Sequence, residues 1–176
     1  ERECERLDTL VGSTLRLARM GALPSPTDTL DLADVVDDVV QDARFEAGDR
    51  KLGITWTRPA PLWVTADRDS LASAIENVLR NALRFTPAGG SIQVRLLADA
   101  GEACLEIEDS GPGVPEKELA YLFEPFYQSQ SGPAAPKGGA GLGLSIAHAA
   151  VAAHKDRISA RNAAPRRLSV RIELPR

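Results

Sequence analysis

Residues 137–154, KGGAGLGLSIAHAAVAAH, constrain the fold more than any other stretch of this sequence, because four glycines lead into a run with almost no polar side chain. A helix that is apolar around most of its circumference has to be buried on several sides. Its glycine-rich start leaves backbone N–H groups open, and such groups at a helix N-terminus form a favourable anion site. The stretch therefore predicts a buried helix that begins beside a ligand such as a phosphate.

The rest of the chain mixes helices and strands without strict alternation. Apolar residues at steps of three and four predict helices over residues 30–47 and 71–86, the second capped by Asp69 or Ser70. Runs rich in β-branched residues predict strands at 51–58, 62–67, 91–99, 103–109, 156–162 and 168–174. This order predicts an α/β sandwich, with one mixed sheet layered on about three helices, rather than a doubly wound fold.

Composition narrows the classes of function. A net charge of -4 over 176 residues gives no general attraction to nucleic acid or to anionic lipid. Cys4 and Cys104 suggest no disulfide framework, and no Cys/His cluster has metal-ligand spacing. No apolar run is long enough for a membrane helix, and no signal peptide is visible, so we expect a cytoplasmic domain. The sequence starts inside a helical pattern without an initiator Met, which is typical of a piece of a longer chain.

Residues 1–20 carry an apolar stripe that predicts a separate N-terminal helix. The stripe either docks on the core of this domain or forms a seam with a partner helix. Residues 21–29 contain a glycine and two prolines and predict a linker. The helix stripe consists of Leu7, Leu10, Val11, Thr14, Leu17 and Ala18.

Two asparagines four residues apart, Asn77 and Asn81, share one face of the helix predicted at 71–86. Carboxamide oxygens are hard, neutral ligands that suit Mg²⁺. Asn is also a poor helix former, so the pair needs a reason. A solvated face or a structural hydrogen bond is a simpler reason, and this stretch alone leaves both interpretations open.

Asp109 stands at the end of a predicted strand and opens the turn DSGPGVP, which contains Gly111 and Gly113. A carboxylate in this place can accept a hydrogen bond from an exocyclic amine, and glycines let a planar ring approach the backbone. An ordinary surface turn uses the same residue types. The turn alone therefore does not decide between a ligand site and a surface loop.

The segment LFEPFYQ, residues 122–128, offers Phe123, Phe126 and Tyr127 as an anchor for the following loop, although core packing explains it equally well. The glycines after it do not form a P-loop, which requires GxxxxGK followed by Ser or Thr. They also do not form a dinucleotide fingerprint, because no strand leads into them.

The order of these clusters, from the Asn helix to the glycine loop, resembles the catalytic ATP-binding domain of sensor histidine kinases from two-component systems. That family lies within the superfamily that also contains DNA gyrase, Hsp90 and MutL. Residues 28–176 match the domain, residues 1–22 resemble the end of the dimerisation and phosphoacceptor helix, and 23–27 would be the linker. The resemblance implies a Bergerat fold, in which ATP lies between a helix and a lid.

The same resemblance implies an activity and its partners. The domain would bind Mg-ATP and donate the γ-phosphate to a His on a separate dimerisation domain, for relay to a response regulator. The full-length protein would be a homodimer in the inner membrane, anchored through segments outside this sequence. Nucleic acid is not an expected partner.

By motif position, the resemblance places Mg²⁺ at Asn77 and Asn81, phosphate at Arg84 and adenine against Phe85. Asp109 would accept a hydrogen bond from the adenine amino group, beside Gly111 and Gly113. Lys137 would meet the γ-phosphate from a lid running from about residue 128 to residue 140. The other implied nucleotide contacts are Tyr127, Gly139, Gly141, Leu142, Gly143 and Leu144.

Several positions depart from the family pattern. Gln128 stands where many members carry Arg, and Ala140 supplies no side-chain ligand between the lid glycines. The phosphoacceptor His pair is absent, so no catalytic residue is expected within this sequence. We expect His148 and His154 to be structural, within a buried helix. A nucleotide-binding module without phosphotransfer, an ATP-driven clamp and a serine kinase of the same superfamily remain alternatives.

Overall fold

The computed structural model describes residues 27–48, 50–129, 140–154, 156–163 and 167–176. The predicted N-terminal helix and residues 21–26 of the predicted linker lie outside the described residues, whereas residues 28 and 29, also predicted as linker, belong to the first strand. Within the described ranges the three α-helices are α1 (Leu32–Gly48), α2 (Arg68–Phe85) and α3 (Gly143–Ala153). The strands are β1 (Asp28–Asp31), β2 (Gly53–Trp56), β3 (Trp63–Ala66), β4 (Ser91–Asp99), β5 (Glu102–Asp109), β6 (Arg157–Ala163) and β7 (Arg167–Pro175), and a 3-10 helix spans Glu116–Tyr121.

Five strands form one mixed sheet, as the sequence predicts, and the structure gives their order as β2-β4-β5-β7-β6. β2 runs parallel to β4, and the other three pairs are antiparallel. β4 and β5 are joined by Ala100 and Gly101, whose φ angles of 45° and 89° fit the two-residue turn that matches strand twist. The predicted hairpins β4–β5 and β6–β7 are therefore confirmed.

The remaining two strands, β1 and β3, form a small antiparallel sheet of their own. The predicted helix at 30–47 was wrong at its start, because Leu30 and Asp31 belong to β1. The buried Asp31 carboxylate accepts the N–H groups of Ala33 at 3.0 Å and Leu62 at 2.9 Å. This side chain ends the strand and satisfies an open N–H in the first turn of α1.

The hydrophobic core lies between the three helices and one face of the five-stranded sheet. Along β5, the inward-facing residues are Ala103, Leu105, Ile107 and Asp109, all buried. Because side chains alternate between the two faces of a strand, the terminal carboxylate points to the same side as the core residues. The sheet thus places Asp109 on the buried face.

Among the described residues, no helix combines the length and the hydropathy that a membrane span requires.

The outer face of this sheet carries ion pairs instead. Glu102, Cys104 and Glu173 bring their ligand atoms within 4.8 Å of one another, which resembles a metal site. Arg157 already pairs with both carboxylates, at 2.9 Å and 3.3 Å, and Arg171 donates to the Cys104 Sγ at 3.0 Å. The cluster is therefore an ion-pair network on the face away from the helices.

Both ends of α2 are capped by specific contacts. The Asp67 side chain accepts the Ser70 N–H at 2.6 Å, so the predicted cap at Asp69 or Ser70 was wrong by two or three positions. Thr86 ends the helix in an extended conformation, as expected for the residue before Pro87. The helix is thereby fixed in length and carries its asparagines in its second half.

Candidate functional site

Helix α2 presents Asn77, Asn81 and Phe85 at successive steps of four, all half-buried. The Asn77 Nδ2 donates to the Ser73 carbonyl at 2.8 Å, which leaves the Oδ1 as the other polar atom of that amide. A Cβ added at Gly143 would lie 3.4 Å from this Oδ1. The start of α3 therefore lies directly against the asparagine face of α2.

Leu142 is the N-cap residue of α3, and its side chain makes no capping hydrogen bond. Leu142 and Leu144 are buried, and the Ser145 hydroxyl donates back to the Leu142 carbonyl at 2.9 Å. The leading N–H groups of a helix have no acceptor within the helix and carry a partial positive charge. The buried leucines fix the backbone around an N-terminus that can bind an anion.

At the other end of the site, Asp109 is only 4% exposed. Its Oδ1 accepts the Gly111 N–H at 2.8 Å, and the backbone N–H of Leu168 also favours the ionised form. Burial raises the pKa of the Asp109 carboxyl to about 6, the two N–H groups oppose that rise, and neighbouring Glu108 adds to it. Near neutral pH the group is a buried, mostly ionised acceptor.

Gly111 brings this carboxylate to the end of α2. A Cβ at Gly111 would lie 2.5 Å from the Asp109 Oδ1 and 2.9 Å from the Phe85 carbonyl oxygen, closer than real Cβ atoms approach. Packing of the turn on α2 is thus a sufficient reason for a glycine here. Asn77 and Phe85 are eight residues apart, or about 12 Å along the helix axis. One helix face therefore links the α3 N-terminus to the Asp109 carboxylate.

Arg84 belongs to the same helix, α2, and lies partly buried beside Phe85. Its guanidinium carbon is 5.3 Å from the centre of the Phe85 ring, within the range of a cation–π contact. Burial lowers the pKa of Arg84 from its ordinary value, although a guanidinium stays protonated at any physiological pH. The approach of Arg84 to phosphate remains a prediction.

The aromatic segment meets the glycine loop at a tight junction. The Phe126 N–H donates to the Gly141 carbonyl at 2.9 Å. Gly141 has a φ of +72°, and a Cβ there would lie 2.7 Å from the Tyr127 carbonyl oxygen, so only glycine fits without strain. Phe126 also has a positive φ, of 66°, which is unusual for a bulky residue. The two ends of the predicted lid are thus held side by side.

Tyr127 packs against Tyr121, with ring centres 5.9 Å apart. Desolvation raises the pKa of the Tyr127 phenol, and a hydrogen bond to Glu118 adds to the effect. Lys137 and Gly139 lie outside the described residues. Gln128 and Ala140 stand at the two ends of the predicted lid, where Gln128 is exposed and Ala140 is half-buried. The roles predicted for these residues stay predictions.

The two histidines differ from one another. His154 receives the Asp67 N–H at its Nε2 (3.2 Å), and its Nδ1 lies 2.9 Å from the Ala150 carbonyl, so it joins the end of α3 to the start of α2. His148 is exposed, with its ring 5.7 Å from that of Phe123, and the expectation that the fold would bury it was wrong. The helix buries its other faces and leaves this one open.

Two residues that support the site were missed from the sequence. Arg50 donates to the carbonyls of Leu83 and, at 2.7 Å, of Thr86, at the C-terminus of α2. Asn162 bonds both backbone polar groups of Val114, directly after the glycine turn. Neither lies near its partner in sequence, so no local pattern could have indicated them.

Comparisons with known proteins agree with this geometry. Residues 66–176 match the family model described as histidine kinase-, DNA gyrase B-, and HSP90-like ATPase. Sensor protein SphS of Synechococcus elongatus is 37% identical over 169 residues, covering 91% of this chain and 41% of SphS. The histidine-protein kinase BaeS of Escherichia coli is 35% identical over 164 residues, covering 92% of this chain and 34% of BaeS. The chain thus spans about two fifths or less of the length of these relatives.

Solved structures give the same result. The mycobacterial sensor histidine kinase MprB superposes with a TM-score of 0.73 at 35% identity, covering 84% of this chain and 97% of that structure. Full-length ShkA in complex with AMPPNP superposes with a TM-score of 0.80 at 26% identity, covering 96% of this chain and 35% of ShkA. The predicted α/β sandwich is therefore confirmed.

Proposed function

Because the chain belongs to the family of histidine kinase-, DNA gyrase B- and HSP90-like ATPases, as the ATP-binding catalytic domain of a sensor histidine kinase, we propose that it binds Mg-ATP and presents the γ-phosphate to a His on a separate domain. One observation carries the proposal. Helix α2 borders the open N-terminus of α3 at Asn77 and the buried Asp109 carboxylate near Phe85. This arrangement supports a nucleotide lying along α2, with phosphates at the first end and adenine at the second.

Asn77 and Asn81 are the residues that would hold Mg²⁺. The Nδ2 of Asn77 is already used by the Ser73 carbonyl, so the amide oxygen is the atom left towards α3, and oxygen is what Mg²⁺ requires. When bound, the metal would neutralise phosphate charge. The N–H groups at the start of α3 would hold phosphate oxygens, and Asp109 would accept the adenine amino hydrogen. In such transfers the protein contributes positioning and electrostatic stabilisation.

The acceptor His, its neighbouring base and the dimer belong in this proposal to segments outside the sequence. A downstream response regulator and an inner-membrane anchor are proposed on the same basis, by likeness to sensor histidine kinases. In this proposal neither His148 nor His154 accepts the phosphoryl group. Lys137 from the predicted lid would add charge at the γ-phosphate.

Calorimetric titration of Mg-ATP tests the metal assignment. We expect Asn81→Ala to weaken binding about ten- to a hundredfold, the effect of losing one interaction with a charged group. Arg80→Ala is the matched control, because that exposed neighbour pairs with Glu76 on the helix surface, at 3.2 Å. With Mg²⁺ removed by chelation, the parent and Asn81→Ala should bind ATP alike. Equal affinities for Mg-ATP would remove Asn81 from the metal site.

Incubation with γ-labelled ATP tests the transfer. We expect no label on this chain alone, and acid-labile, base-stable label when the upstream acceptor segment is supplied in a longer chain or as a separate domain. Label on the chain alone that His148→Ala or His154→Ala abolishes would overturn the two-part mechanism. Tight ATP binding without transfer in the complete protein would instead favour the binding-module alternative and implicate Gln128 and Ala140.

A further inference from the structure

The turn that follows Asp109 is held at its far end by a side chain from the edge strand β6. The Asn162 Oδ1 accepts the Val114 N–H at 3.1 Å, and the Asn162 Nδ2 donates to the Val114 carbonyl at 2.7 Å. These are the two bonds that a neighbouring strand would make, supplied here by one amide. The turn therefore has a defined end although it is not part of the sheet.

The same amide is aligned with the start of the turn. Leu168 in β7 is the register partner of Asp109 on one side and of Asn162 on the other. Its backbone N–H also stabilises the ionised form of the Asp109 carboxylate, which lowers the pKa of that group. Asp109, Leu168 and Asn162 thus lie in one row across β5, β7 and β6. This row holds both ends of the segment from Asp109 to Val114.

We call the two hydrogen bonds between Asn162 and Val114 the clamp. Close packing makes this clamp specific to an amide. Gly113 has a φ of +66°, and a Cβ there would lie 3.0 Å from the Asn162 Oδ1. An ionised Asp in place of Asn162 could not donate to the Val114 carbonyl and would stand near the Glu116 carboxylate, which the Asn162 Nδ2 approaches at 3.3 Å. An apolar side chain would remove both hydrogen bonds to the Val114 backbone.

We propose that Asn162 is a positioning residue for base selection, because its hold on Val114 fixes the turn whose Gly111 N–H orients the Asp109 carboxylate. The inference deepens the proposed function and rests on the assignment of Asp109 to adenine. In this proposal Asn162 acts through the turn and not by contact with the nucleotide. If the clamp is lost, the turn moves, and the carboxylate loses the N–H that aims it.

The test compares the dissociation constants of ADP and GDP by calorimetry. The parent should prefer ADP by about ten- to a hundredfold, since guanine presents a carbonyl where adenine has its amine. Asn162→Ala should weaken ADP binding by about tenfold or more and change GDP binding little, so that the ADP/GDP ratio falls towards one. The control is Arg161→Ala, which removes an exposed ion pair with Glu106 from the same strand and should leave the ratio unchanged.

The outcomes separate the two proposals. A parent without preference for ADP contradicts the Asp109 assignment, and with it the inference. If folded Asn162→Ala still prefers ADP, or loses affinity for ADP and GDP equally, the inference about Asn162 is wrong while the assignment of Asp109 stands. If Asn162→Ala does not fold, Gly113→Ala decides, because its new methyl group disturbs the same clamp from the loop side. A full ADP preference in Gly113→Ala would then refute the positioning role.

Discussion

Acidification should change the stability and the nucleotide affinity of this protein in opposite directions, through the single carboxyl of Asp109. Burial raises its pKa to about 6, against 3.8 for an ordinary Asp. Between these values the folded chain holds a proton that the unfolded chain has released, so folding is favoured by protonation. This contribution is fully present below about pH 3.8 and is lost as the pH rises through about 6, and it amounts to about 2–3 kcal/mol.

Binding has the opposite sign, because the ionised carboxylate is the form that accepts the adenine amino group. At about pH 5 roughly one tenth of the free protein has Asp109 ionised, so ADP affinity should fall about tenfold relative to pH 7.5. The nucleotide phosphates titrate in the same range. The variant Asp109→Asn separates the two effects. Its affinity for ADP changes with pH only through the phosphates, because the carboxyl group is gone.

The measurements are calorimetric ADP titrations and urea unfolding at the two pH values, for the parent and for Asp109→Asn. The parent should lose about tenfold more affinity on acidification than the variant does. Its free energy of unfolding should also rise by about 1.4 kcal/mol relative to the variant, because pH 5 lies only about one unit below the folded pKa. Identical pH dependence of affinity in both proteins would refute the role of this carboxylate, and identical pH dependence of stability would refute its raised pKa.

Two further predictions concern the frame of the site. Arg50→Met should lower the free energy of unfolding by about 1–3 kcal/mol in urea denaturation, because the last carbonyls of α2 lose a cationic donor, whereas Arg80→Met on the helix surface should change it by less than about 0.5 kcal/mol. Gly141→Ala should cost about 1–3 kcal/mol by the same assay, since it combines a positive φ with a 2.7 Å contact to the Phe126 backbone, and a variant as stable as the parent would contradict this packing.

Much of the frame was determined by the sequence alone. Runs rich in β-branched residues at 91–99 and 103–109 predicted β4 and β5, and apolar residues at steps of three and four predicted α2, because each pattern suits the way that backbone places its side chains. The same strand prediction placed Asp109 at the end of β5, and its burial became visible only in the structure. The four-residue spacing of Asn77 and Asn81 placed them on one helix face without any tertiary information.

What the tertiary structure decided is which of these local features meet. Arg50 reaches carbonyls 33 and 36 residues away, and Asn162 reaches Val114 across 48 residues. A side chain that bonds a distant backbone group leaves no periodic trace, because its partner is set by packing and sheet register. For the same reason the sequence could assign Asp31 to a helix, while β3, brought alongside it, made that residue the end of a strand. Local periodicity fixes the elements, whereas the meeting of Asn77 with α3 and of Asp109 with the end of α2 exists only once the sheet and helices have packed.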